Sequence, residues 1–332
     1  MRPLVLLISM VLISVVLIPM VFFLACTPPA GLDSSLEKAY DYLSSVHDPD
    51  YVFHDDYLKY VYPGERLSCA PGFGEGCILT YRKLDAYFDL VMIRNENPSN
   101  PISGLTDEAD SHLRALLPVW KDLKISNVIA SESREGVALD TLCILGCLYS
   151  DPGIAENVLG YLQGDNWMED DYYSVDKWRN IADESWCILL LQSTGKGPVD
   201  ELIDVKMKEV DAFLSADNDD LEKAGVMLHL LMIFNEAGGS VYEVERQQLI
   251  DDIFNYYSNP SVQDNTLMVS NMLAVLLDAG VPEEDLVQMK DLLVSRQGRN
   301  GVFYPFVGSS EDSGQAFTTM RAVIALEKFK LD

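Results

Sequence analysis

Basic residues are scarce in this chain: 24 Lys and Arg stand against 52 Asp and Glu, for a net charge of −28. Neutralising the phosphates of nucleic acid or of anionic headgroups takes clustered Lys and Arg, so a surface of this sign excludes nucleic acid as a partner. The surplus acid reads most simply as an adaptation to salt or for solubility. Histidine is rarer still, with four residues. No Cys-x-x-Cys and no Cys/His spacing of a structural zinc site occurs. A Gly-rich phosphate loop, a Gly-x-Ser-x-Gly elbow and a His-Glu-x-x-His pair are also missing. P-loop, serine-elbow and zincin chemistry therefore have no local signature, no metal ligand set is named, and the sequence identifies no cofactor. Strand-like alternation is scarce too, while apolar residues recur at three and four, which points to an all-α protein.

What is present is an ordinary core-forming composition, 48% apolar and 23% charged, preceded by one long apolar run. Residues 4–25 carry no charge, which is enough helix to cross about 30 Å of hydrocarbon. Arg2 precedes the run, and Asp33, Glu37 and Asp41 follow it. Because positive charge stays on the cytoplasmic side, residues 32–332 are expected outside the cell membrane, as an extracytoplasmic domain. Phe23-Leu24-Ala25-Cys26 resembles a lipoprotein cleavage box, although Phe23 and Leu24 are larger than that pattern prefers. Two anchors thus stay open, a lipid on Cys26 or an uncleaved span over 4–25, alongside a secreted form. Residues 27–31 make a short tether.

Of the other cysteines, Cys69 and Cys77 flank a turn-rich Ala-Pro-Gly-Phe-Gly-Glu-Gly loop, and outside the cell this spacing suits a small disulfide loop. Cys143 and Cys147 lie four apart on an expected helix and share a face, with Cys187 on another helix. The simplest reading of these three is buried small hydrophobes, and pairing of one with Cys187 stays open.

From residue 32 onward the expected helices come in pairs. Amphipathic helices are expected over 32–46, 105–123, 154–162, 199–214, 241–257 and 283–296. More evenly apolar ones are expected over 78–93, 136–149, 178–192, 221–237, 262–279 and 315–329. Asp151-Pro152-Gly153, Gly195-Lys196-Gly197-Pro198, Asn259-Pro260 and Gly280-Val281-Pro282 punctuate them. An amphipathic helix needs one wet face, and an apolar one must be covered nearly all round. Two concentric rings satisfy both demands, giving a single (α/α)6 toroid over 32–332. An open α-solenoid built from the same hairpins is the alternative.

The last pair adds a signature. Leu292-Leu293, Gln297, Gly301 and Phe303, followed by Thr318-Thr319, Ala322 and Ala325-Leu326, resemble the repeat of the terpenoid cyclase and protein prenyltransferase superfamily. That resemblance implies an α/α-toroid in which the Gln and the aromatic residue tie a helix end to the next loop. It covers about 40 residues well, and Phe303 stands where triterpene cyclases usually carry Trp. Asp217-Asn218-Asp219-Asp220 spells the Asp-x-Asp-Asp of hopene-forming cyclases, which implies a proton-donating role for Asp219. The same four residues also suit a helix N-cap and a solvated first turn. The zinc site of prenyltransferases is not reproduced, since no His follows His229 and no Cys follows Cys187.

Other candidate chemistry clusters in acidic, aromatic stretches. His47-Asp48-Pro49-Asp50-Tyr51 and His54-Asp55-Asp56-Tyr57 read as a solvated, aromatic-anchored loop. Trp167 through Tyr173, with Asp171 and Tyr172, precede a helix carrying Asp183-Glu184. Inner helices of a toroid open into one cavity, where Arg82, Asp85, Asp183, Glu184, Arg321 and the Asp171 loop would converge. Aromatics beside paired carboxylates are what a sugar-processing cleft needs, so Asp171, Asp183 and Glu184 are candidate acid/base groups, with Arg82, Asp85, Trp167, Tyr172 and Arg321 as candidate ligand contacts. Arg82 and Arg321, lying among apolar positions, are expected to pair with inner-ring acids. Three functions follow in order of preference: a membrane-anchored binding or scaffolding protein with a carbohydrate or small-molecule ligand, a carbohydrate-active enzyme, and an isoprenoid-processing enzyme. The sequence does not decide whether the chain is an enzyme.

Overall fold

The computed structural model describes residues 31–48, 52–53, 81–122, 124–125, 136–137, 139–162, 177–237, 242–306 and 315–331. The apolar run 4–25, Cys26, Cys69, Cys77, Trp167, Asp171 and Tyr172 lie outside them. The architecture is all-α. Among the described residues no helix is long and apolar enough to cross a membrane.

Six helices bury a single stripe. They are α1 (Leu32–Ser45), α3 (Ser103–Trp120), α5 (Pro152–Leu162), α7 (Val199–Ser215), α9 (Glu243–Tyr257) and α12 (Glu283–Ser295). In α3 the buried set is Thr106, Ala109, Asp110, Leu113, Leu116 and Trp120, the three-and-four spacing of one helix face. In α7 it is Ile203, Lys206, Val210 and Phe213. Six others are covered on most sides: α2 (Tyr81–Glu96), α4 (Leu139–Tyr149), α6 (Lys177–Thr194), α8 (Asp220–Glu236), α11 (Thr266–Asp278) and α13 (Gln315–Leu331). In α8, Val226, Met227, Leu228, Leu230, Leu231, Ile233 and Phe234 are all buried, which no single face accounts for.

The packing follows the same division. Contacts run from α2 to α4, α6, α8, α11 and α13, and α13 also packs against α2. The one-stripe helices α3, α5, α7, α9 and α12 each touch two consecutive members of that series, and α1 packs on α13. A single-turn helix α10 (Pro260–Gln263) precedes α11. The expected helix over 262–279 is divided there, because the Asn265 side chain accepts from Met268 N at 2.9 Å and restarts the helix. At the far end of α11, Gly280 takes φ +70 while Val281 N donates to Leu276 O at 3.1 Å, closing the helix with a left-handed cap. Short two-residue strands edge the helices: β1 (His47–Asp48) pairs antiparallel with β2 (Val52–Phe53), and β3 (Lys124–Ile125) parallel with β4 (Gly136–Val137). Residues 136–137 thus begin as strand where helix is expected.

The two ends of the described chain are stitched together. Tyr40 Oη and Asn97 Nδ2 both donate to Glu327 Oε1, at 2.6 and 2.9 Å. Lys330 pairs with Asp33, and Lys328 with Glu96 and Asp278. Gln297 Nε2 donates to Gly301 O at 3.0 Å and to Ser35 O at 2.8 Å, while Ser35 Oγ donates to Gln297 Oε1 at 2.9 Å. Phe303 is fully buried, and its N–H donates to Thr319 Oγ1 at 3.0 Å. Gln297 and Phe303 therefore join the end of α12 to the following loop and to α1 and α13.

Candidate functional site

Several residues of the apolar helices are left partly open. On α8 these include Gly225, His229 and Met232, spaced along one row. On α13 they include Phe317 and Arg321, and on α6 Trp186. The groups meet. Arg321 Nη2 lies 2.9 Å from Asp89 Oδ1 of α2, and its guanidinium carbon sits 5.3 Å from the centre of the Phe317 ring. The Arg321 charge also acts on His229, although α8 lies beyond α11 from α13. Trp186 meets His229 edge to face, with ring centroids 6.4 Å apart and planes at 83°.

Electrostatics sharpen this arrangement. Asp89 is fully buried, and desolvation, opposed by the Arg321 charge, pushes its carboxyl up to about 6. The Arg321 guanidinium partly offsets that cost through its charge and a hydrogen bond, and Arg321 Nε has no partner among the described residues. His229 Nδ1 lies 2.8 Å from Gly225 O. A carbonyl only accepts, so Nδ1 carries the hydrogen and Nε2 keeps its lone pair. Burial, and then the Arg321 charge, hold this imidazole below its ordinary value and therefore neutral at pH 7, against the pull of the Gly225 carbonyl. His229 is partly open to solvent. Together the two groups offer an acceptor nitrogen, an arginine, an acid of raised pKa and two aromatic rings.

The sequence-derived candidates fall in different places. Arg321 lies in this constellation, paired with an acid of the neighbouring apolar helix. Asp85 sits half-buried on α2, one turn before Asp89. Arg82 and Asp183 belong to α2 and α6, and their side chains lie outside the described set. Glu184 faces the other way: the Lys206 Nζ of α7 bonds to it, and also to Glu209 Oε2 at 2.5 Å. Asp219 is exposed and caps α8, accepting from Leu221 N at 2.8 Å. Structure adds Asp89, Trp186 and His229, which the sequence did not single out. Asp89 carried a usable signal, being a charge in the middle of an apolar helix. Among the described residues, no group of three or more His, Cys, Asp or Glu is placed to hold a metal ion.

In comparisons with known proteins, no family model, no curated protein and no solved structure matches the chain.

Proposed function

We propose that the six helix pairs close into a single (α/α)6 toroid whose interior binds a sugar-sized polar ligand, held at the outer face of a membrane by residues 4–25 or by a lipid on Cys26. Closure is supported by the return of α13 to α2 and by the bonds joining Tyr40, Asn97 and Glu327. An open solenoid would leave its first and last helices apart. The anchor is supported by the uncharged run after Arg2 and the acids that follow it.

The observation that carries the ligand is a partly open Arg321, paired with buried Asp89 and set over the Phe317 ring, whose charge reaches a partly open His229 packed on Trp186. Hydroxyls satisfy carboxylate, guanidinium and imidazole together, and the C–H face of a sugar stacks on an aromatic ring. The test is thermal melting of the full chain with neutral sugars, uronic acids and isoprenyl diphosphates. A sugar or uronic acid is expected to raise Tm, with the rise lost in Trp186→Ala and Arg321→Gln. No rise with any sugar, or a rise with isoprenyl diphosphates alone, rejects the reading.

A second reading, catalysis on that ligand, is favoured by one observation. Asp89, pushed up to about 6, is ionised at pH 7, and His229, pushed down, is neutral there, so both can accept a proton from that ligand.

A further inference from the structure

We infer that Cys143 and Cys187 form a disulfide that staples α4 to α6, which makes this pair a site of oxidative modification. Their Sγ atoms lie 2.7 Å apart. Non-bonded heavy atoms rest at about 3.5–4.0 Å, whereas bonded sulfurs sit at about 2.05 Å. Two thiols held at this separation repel one another, and forming the bond removes the repulsion with only a small further approach. The two helices pack directly against each other, and neither side chain has water beside it, since both are buried.

The third thiol of the cluster is directed elsewhere. Cys147 lies one turn along α4 from Cys143, and its Sγ donates to the Trp186 carbonyl at 3.4 Å. The geometry therefore selects one of the two pairings open to Cys187. Burial pushes the Cys143 thiol far above its ordinary value, so the folded pair is a poor source of thiolate. Oxidation consequently belongs to folding, before the helices seal the pair. The reaction is dithiol–disulfide exchange with a disulfide oxidant. The new Cys143–Cys187 bond forms, the oxidant's S–S bond breaks, and the two protons and two electrons given up by the cysteines convert the oxidant to two thiols. Once sealed, the same burial shields the bond from reductants. The pairing closes a long loop, the two residues being 44 apart in sequence, and such loops favour a sizeable gain in stability. It also fixes the backbone beside Trp186, the aromatic edge of the interior, but the inference stands independently of any ligand there.

The test refolds the full chain from denaturant in an oxidised glutathione buffer, alkylates it without reductant and maps the peptides. Cys187 is expected in a cross-link with the peptide carrying Cys143 and Cys147, and the cross-link is expected to persist in Cys147→Ala. Refolding in reduced glutathione should then lower Tm by about 5–10 °C. Quantitative alkylation of both Cys143 and Cys187, or loss of the cross-link in Cys147→Ala, overturns the inference.

Discussion

At the scale of single residues, the interior is defined by one costly choice. Asp89 is an acid with no exposure, and its only charged partner among the described residues is the partly open Arg321. Its carboxyl titrates near 6 rather than at the ordinary 3.8, so between those values the folded chain binds the proton more tightly than the unfolded one. Stability linked to this group therefore falls as pH rises through that window, and above about 6 the full penalty, ~3 kcal/mol, is present. Asn in its place carries no charge to desolvate. The difference in unfolding free energy, Asp89→Asn minus wild type, is expected to shift in favour of the variant by up to ~3 kcal/mol between pH 4 and pH 7. Urea unfolding at the two pH values measures it, and a difference independent of pH would show that Asp89 is solvated. Sequence reading reached Arg321 because a guanidinium among apolar neighbours must find an acid. It passed over His229 for a physical reason: when a helix is covered on most sides, apolarity no longer distinguishes the face toward the centre from the face toward the outer helices. Distances between helices are needed for that, and they are a property of packing rather than of spacing.

At the scale of elements, the alternation of one-stripe and all-round apolar helices was legible because burial of a helix leaves its period in the sequence. Ends were less legible. The helix expected over 78–93 is Tyr81–Glu96, and that expected over 262–279 breaks at Asn265, where a side chain competes for backbone N–H groups. Pairing between elements was hidden as well. Glu184, read as facing the interior, instead binds Lys206, a lysine placed on the apolar stripe of α7 and almost fully buried. A buried ion pair adds little over a well-packed apolar pair, but a buried charge without its partner is expensive. Lys206→Met should thus cost about 3 kcal/mol, because Glu184 stays behind in a nearly dry position. The double variant Glu184→Leu/Lys206→Met should recover most of that loss. Denaturant midpoints of the three proteins measure both effects. If the double variant is no better than Lys206→Met, the pair is not the clamp between α6 and α7.

At the scale of the whole molecule, the contact between α13 and α2 and the docking of α1 on α13 join parts of the chain 230 and 287 residues apart, as the bonds of Glu327 to Asn97 and Tyr40 mark. Six pairs in sequence were compatible with a closed ring or an open array, since each pair needs only its neighbours and closure depends on the sum of small rotations between them. The junction is narrow at Gly301. This residue takes φ +89, and a Cβ there would run into the Lys38 carbonyl of α1. Gly301→Ala therefore combines a left-handed backbone, unfavourable for Ala, with displacement of a helix whose Ser35 is bonded to Gln297. A loss of about 3 kcal/mol is expected. Gly160→Ala, in α5 with open space around the new methyl, should instead gain up to ~1 kcal/mol. Hydrogen exchange locates the effect. If the contacts of α13 with α1 and α2 are a latch on otherwise self-supporting pairs, Gly301→Ala speeds exchange in α1 and α13 while α6 and α8 stay protected. Equal acceleration in α6 would mean instead that the pairs hold together only as a completed circuit.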